Sequence, residues 1–230
     1  MTNWRVMTWN IRGAARPDLR RIADVVRDLH PDVVAMQEVR QRQAQRLAAD
    51  LGWRHEWVFK HNAWTFLLWW RAEGLALLSP TPLAGVWRTC LTPDISRRSY
   101  RRRVAIAATV QHDDAALRVY DLHLTTDDEA RRRSQASTIA ARIVIDRPLD
   151  VVVAGDLNAA HDAELLAAFT AGGLVDPGGA MTSPAQAPVQ RIDYVLVPSA
   201  ATVVERHTPD GGGTWAALSD HLPTLVELTI

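Results

Sequence analysis

The chain holds little that would commit it to a specialised environment. Of its 230 residues only Cys90 is a cysteine, so no internal disulfide can form and a reducing compartment suits it. Lysine is nearly absent: among 26 basic residues Lys60 is the single lysine and the rest are arginine. Beside abundant alanine, that bias is read as the habit of a GC-rich genome and not as recognition. Net charge is absent too, 26 basic residues facing 26 acidic ones, so no overall field draws the chain to nucleic acid or anionic membrane. A local basic patch can still coexist with neutrality. The most apolar window, "TFLLWW" (Thr65–Trp70), falls far short of the roughly 20 residues a membrane span needs. The opening "MTNWRVMTWNIRG" enters directly into apolar–polar alternation and has no signal-peptide core. A cytoplasmic monomer with no transmembrane segment is expected. Several catalytic templates are also missing. No serine sits in a G-x-S-x-G elbow, there is no P-loop or G-x-G-x-x-G, and no closely spaced His or Cys set suggests zinc.

What is present is an ordinary globular composition, 47% hydrophobic and 23% charged, able to build a sizeable core. No internal repeat or low-complexity linker divides it, and "VDPGGAMTSPAQAP" (Val175–Pro188) reads as a surface loop because strand-like sequence resumes beyond it. One domain over residues 1–230 is expected. "WRVMTWNI" reads as a strand, after which Leu19, Ile22, Val25, Val26 and Leu29 recur at helical spacing until Pro31. "DVVAMQEV" reads as a buried strand before a helix at about Gln41–Leu51. "GLALLS", "RRVAIAATVQ" and "LRVYDLHLT" are β-rich with little helix between. A helix at about Asp127–Ile145 leads into the strand "VVVAGD", a helix at about Ala163–Ala171 follows, and "RIDYVLV", "ATVVERH" and "TLVELTI" close the chain. Strand–helix–strand units at both ends around a run of hairpins imply α/β (α+β) architecture, with mixed sheets covered by helices.

Polar residues recur inside or at the ends of these strands: Asn10 in "MTWNIRG", Glu38 in "AMQEV", His123 in "YDLHLTT", Asp156 and Asn158 in "GDLNA", Asp193 in "RIDYVLV", and Asp220 with His221 in "LSDHLP". Each alone has a bland reading. Asn10 or Asn158 could mark a turn, His123 could be a satisfied core histidine, and Asp193 could pair with Arg191. Together they are four carboxylates, two amides and two imidazoles beside buried strands, where charge is costly unless paired or bound to metal. Carboxylate and amide oxygens are hard ligands suited to Mg2+ or Mn2+, aspartate can act as base towards water, and His or Asn can donate to a phosphate oxygen as charge builds there.

In this order, "TWNIRG", "QEV", "GLALLS", "HLTT", "GDLNA", "RIDYVLV" and "SDHLP" resemble the endonuclease/exonuclease/phosphatase (DNase I-like) superfamily along nearly the whole chain. The resemblance implies a four-layer α/β/β/α sandwich of two packed mixed β-sheets flanked by helices, with a site at the sheets' common edge, and a Mg2+- or Mn2+-dependent phosphoric ester hydrolase. By position it makes Glu38 the principal metal ligand with Asn10 beside it, and Asp220 a second metal contact. It makes Asp156 the residue that orients or deprotonates water, Asn158 and His123 phosphate ligands, and His221 the C-terminal histidine oriented by Asp193. Arg103 matches a phosphate-facing arginine, with Arg101 and Arg102 as neighbouring alternatives and Tyr100 a weaker candidate. "RRR" at 131–133 is expected on a solvated helix face.

The substrate implied is a phosphoester, whether small molecule, lipid headgroup or nucleic acid. "QEVR" and "VQRIDY" depart from the DNA-repair AP endonucleases, which carry a Lys after the glutamate and "GWR" before "IDY", and the extended motifs of the inositol-polyphosphate 5-phosphatases are missing. A nuclease of the same superfamily is the first alternative, and a non-catalytic scaffold that binds phosphate ligands the second. Trp57, Trp64, Trp69 and Trp70, four of nine tryptophans, are expected mostly to pack, with a stacking surface for a headgroup or base as the other reading.

Overall fold

The alternation in "NWRVMTWN" is realised as strand β1 (Asn3–Asn10), and the helical spacing after it as α1 (Leu19–Leu29), whose first turn is capped by the Asp18 carboxylate. The structure, a computed structural model, describes residues 1–61, 71–112, 115–160 and 162–230. There follow β2 (Val33–Arg40), α2 (Gln41–Leu51), β3 (Arg54–His61), β4 (Glu73–Ser79), β5 (Leu83–Cys90), β6 (Val104–His112) and β7 (Ala115–His123). The second half adds α3 (Glu129–Asp146), β8 (Asp150–Asp156), α4 (Ala163–Ala171), β9 (Leu174–Val175), β10 (Asp193–Pro198), β11 (Thr202–His207) and β12 (Thr224–Thr229).

The strands form two six-stranded sheets, ordered β11-β12-β1-β2-β4-β3 and β5-β6-β7-β8-β10-β9. Each contains one parallel pair, β1 with β2 and β7 with β8. Parallel neighbours need a crossover connection, and α1 and α3 supply it. The remaining named pairings are antiparallel.

Three apolar clusters separate four layers. Val6, Val33, Ala35, Leu77, Ile106, Val119, Val152 and Val195 fill the space between the sheets. The outer face of the first sheet, through Met7, Trp9, Val34 and Met36, packs on Ile22 and Val26 of α1 and Leu47 of α2. The outer face of the second, through Tyr120, Val151 and Val153, packs on Ile139 and Ile143 of α3 and on Phe169 of α4. This is the α/β/β/α sandwich the sequence implied. Three strands went unanticipated, β3, β5 and β9. All lie at sheet edges, where one face is half exposed and polar residues break the apolar signal. Strand β9 is only two residues long, its Val175 falling where a surface loop was expected. Trp57 sits in β3, its indole donating to the Val39 carbonyl at 3.0 Å and its ring edge-on to Phe59. Trp64, Trp69 and Trp70 lie outside the described residues.

Candidate active site

Alternation aims the polar strand ends into the crevice between the sheets. Val152 and Ala154 face the inter-sheet core, so Asp156, two residues further on, continues the same face. The same parity carries Val119 to His123, Val6 to Asn10, and Val195 back to Asp193. Asn10, His123 and Asp156 each terminate a strand of a parallel pair, and in a parallel pair both carboxyl ends lie at one edge. Asp193 opens the strand antiparallel to β8 and is paired in register with Asp156, which pairs in turn with His123.

Glu38 obeys another rule. Strict alternation would send it outward with Val34 and Met36. The register of β2 against β4 slips between Gln37 and Val39, Val39 takes the outward position, and Glu38 is held at φ 54°. A non-glycine residue there is strained, and the bulge re-aims its side chain towards the site. Asn158 is likewise left-handed, at φ 51°.

The groups converge on one carboxylate. Asn10 Nδ2 donates to Asp156 Oδ2 at 3.1 Å, and Glu38 Oε1 lies 3.4 Å from the same amide. His123 Nε2 and His221 Nε2 stand 3.6 and 3.9 Å from Asp156 Oδ2. The Asn158 backbone N–H donates to Asp156 Oδ1 at 3.1 Å, and its side-chain amide donates to the Leu124 carbonyl at 3.0 Å. His221 Nδ1 meets Asp193 Oδ2 at 2.9 Å, whereas Arg191 pairs with Asp176. The Ser219 hydroxyl donates to the Asn10 carbonyl at 2.6 Å, and the Trp9 indole to the His221 carbonyl at 2.9 Å. Those two contacts seat "SDH" on the end of β1.

Burial and crowding set the electrostatics. Desolvation first, then repulsion from Asp193, pushes the Asp156 pKa upward. Burial opposes charge on His221, but the Asp193 and Asp156 carboxylates outweigh it and raise its pKa to about 10. Burial, then the charges of Lys60 and Arg103, holds His123 well below its ordinary value.

Not every expected residue joins this cluster. Asp220 lies 3.2 Å from the Arg12 guanidinium, with its side chain 42% exposed. Arg103 is buried, and its guanidinium donates to the carbonyls of Leu124, Tyr100 and Arg102. Tyr100 is exposed. Arg103 and Tyr100 nevertheless line a cleft of about 470 Å3 that includes Glu38 and His123. Arg102 donates to the Phe59 and Lys60 carbonyls, and Arg101 pairs with Asp127. Arg131, Arg132 and Arg133 do more than face solvent: Arg131 pairs with Asp94, Arg132 donates to the Thr125 and Thr126 carbonyls, and Arg133 pairs with Asp162. The cleft also holds Lys60, His61 and Glu73, which the sequence did not single out. The lone lysine was the one available signal.

Oxygen donors dominate the cluster, the chemistry that Mg2+ or Mn2+ prefers, and the buried Asp193 Oδ1 atom has no partner among the described residues. Ligand atoms of Asp156, Asp193 and His221 lie within 4.8 Å of one another.

A sequence profile described as the Endonuclease/Exonuclease/phosphatase family matches residues 7–221. The chain belongs to the endonuclease/exonuclease/phosphatase family. Its members are hydrolases, phosphatases and nucleases among them. An endonuclease/exonuclease/phosphatase from Bacteroides vulgatus superimposes with TM-score 0.84 at 22% identity, covering 100% of both chains. The mannosyl-6-phosphatase Bt3783 of Bacteroides thetaiotaomicron gives 0.76 at 19%, covering 99% of this chain and 100% of that one. D. rerio TDP2, solved with a single-strand DNA product, gives 0.77 at 16% with 100% of both covered. At such identities these likenesses show the family's fold. No curated protein matches the chain significantly. No helix among the described residues is long and apolar enough to cross a membrane.

Proposed function

We propose that the chain is a divalent-metal-dependent phosphoesterase, Mg2+ or Mn2+ being the cation, that hydrolyses its substrate by in-line attack of water. The observation that carries this reading is the convergence of Asn10, His123, His221 and the Asn158 backbone on the Asp156 carboxylate. Glu38 and Asn10 would hold the cation. When bound, it supplies Lewis-acid polarisation of the phosphoryl oxygens. The Asp193–His221 hydrogen bond engages Asp193 Oδ2 and His221 Nδ1 and aligns the ring with Asp156, so this trio is read as a relay and the cation is assigned to the Glu38 side.

Asp156, with its raised pKa, accepts the proton of the attacking water. Asn10 and the Asn158 N–H fix the carboxylate's two oxygens while it does so. His221, its Nδ1 tied to Asp193 and its pKa near 10, carries a proton at neutral pH and presents Nε2–H to the phosphoryl or leaving oxygen. His123 donates as a neutral ring. Hydrolysis of bis-p-nitrophenyl phosphate with Mg2+ or Mn2+, with and without chelator, tests the reading. Activity that survives both EDTA and Glu38→Ala would refute it. A nuclease would cut plasmid or oligonucleotide with steep salt dependence, and a scaffold would bind phosphate ligands without turnover.

A further inference from the structure

Lys60 is the only lysine in a chain that otherwise uses arginine for its cations. It occurs at the carboxyl end of β3, is 4% exposed, and lines the same cleft as Glu38, Arg103 and His123. Its ammonium makes no hydrogen bond or ion pair among the described residues, although a buried charge without partners is costly. Burial, then repulsion from Arg103, lowers its pKa to about 8, with Glu38, Glu73 and Asp156 pulling the other way. It therefore stays mainly protonated at neutral pH. The neighbouring His61 is 6% exposed, and its Nδ1 likewise has no partner among the described residues. One wall of the cleft thus holds two buried polar side chains with free hydrogen-bonding capacity.

Arg103 does not meet that need, because its guanidinium is already committed to three backbone carbonyls. Lys60 has three donors and a compact charge, which suits an oxyanion that arrives with the substrate. A phosphodiester brings one negative charge to the cleft. A phosphomonoester brings nearly two at neutral pH, its second pKa lying near 6.

We infer that Lys60 is a substrate-binding residue that contacts the terminal oxygens of a phosphomonoester and biases the site towards monoesters over diesters. The inference rests on the phosphoesterase reading. It gives the buried ammonium a ligand and accounts for a cation that has no partner among the described residues of the cleft.

The test compares kcat/KM for p-nitrophenyl phosphate and bis-p-nitrophenyl phosphate, with Mg2+ or Mn2+, in the unaltered protein and in Lys60→Met. Lys60→Gln is the second variant should methionine disturb β3, and circular dichroism checks the fold of each. Loss of one charged contact should lower monoester kcat/KM by about tenfold or more and leave the diester nearly unchanged. Calorimetry with inorganic phosphate should show a comparable weakening of binding, a readout that does not depend on turnover. A parallel fall for both substrates, or an unchanged ratio with unchanged phosphate affinity, overturns the assignment of Lys60 alone. Absence of metal-dependent hydrolysis of either ester by the unaltered protein overturns the phosphoesterase reading, and the inference with it.

Discussion

Asp193 holds the Nδ1 of His221 at 2.9 Å and is itself fully buried, so it is the largest of the carboxylate influences that keep the histidine charged. Asp193→Asn removes the charge while keeping the shape. The His221 pKa should then fall from about 10 towards the ordinary value near 6.5, which NMR titration of the metal-free protein would read directly. A pKa that stayed near 10 would show that Asp193 does not control it. With His221 no longer held protonated, kcat should drop by roughly 10²–10⁴-fold. Asp156→Asn removes the proposed base and should lower kcat by roughly 10²–10⁴-fold, with KM little changed in steady-state kinetics. Asn10, Glu38, His123, Asp156, Asp193 and His221 were all legible in the sequence because polar residues stood out at the ends of apolar strands. Lys60, His61 and Glu73 were not, since β3 is an edge strand whose charged residues look ordinary.

At the scale of elements, the second sheet depends on two features beneath the site. Gly155 has φ 148°, and a Cβ there would meet the Leu122 carbonyl oxygen at 2.1 Å. Leu122 is its register partner across the parallel pair β7/β8, so the neighbour is backbone and cannot swing away. Gly155→Ala should cost about 3 kcal/mol or more, seen as a lowered midpoint in urea unfolding. Helix α3 is tied to β7 through Asp146, which accepts from Arg118 at 3.0 Å, from Arg142 at 2.6 Å and from the Tyr120 hydroxyl. Burial alone would raise its pKa, but Tyr120 and Arg118 outweigh burial and hold it low. A carboxylate depressed in the folded state contributes stability above its unfolded pKa and loses it as the pH falls through the folded value. Asp146→Ala leaves Arg118 buried and unpaired and should cost about 3 kcal/mol at neutral pH. The difference from the unaltered protein should shrink as the pH is taken below about 4, a trend that unfolding at several pH values would measure. "GDLNA" as strand end and the α3 pattern were readable beforehand. The bulge that turns Glu38 inward was not, because it depends on pairing with β4.

For the whole molecule, a divalent cation held by Glu38 and Asn10, which come from two different strands, would stabilise the folded state selectively. Mn2+ at a hundred times its dissociation constant should add about 2.7 kcal/mol, detectable as a raised thermal midpoint that EDTA reverses and Glu38→Ala abolishes. An unchanged midpoint would place the cation elsewhere or nowhere. The sequence by itself determined most of the elements, the two βαβ units, the family and the set of polar strand ends, because alternation, helical spacing and motif order are local properties of the chain. The tertiary structure alone decided which of those polar groups meet. Residues from Asn10 to His221 become neighbours only when two parallel pairs bring their carboxyl ends to one edge, when a bulge reverses the facing of Glu38, and when β10 and β12 deliver Asp193 and His221 to that edge from the opposite direction. Such encounters depend on register and packing across the two sheets, for which no single stretch of sequence carries a signal.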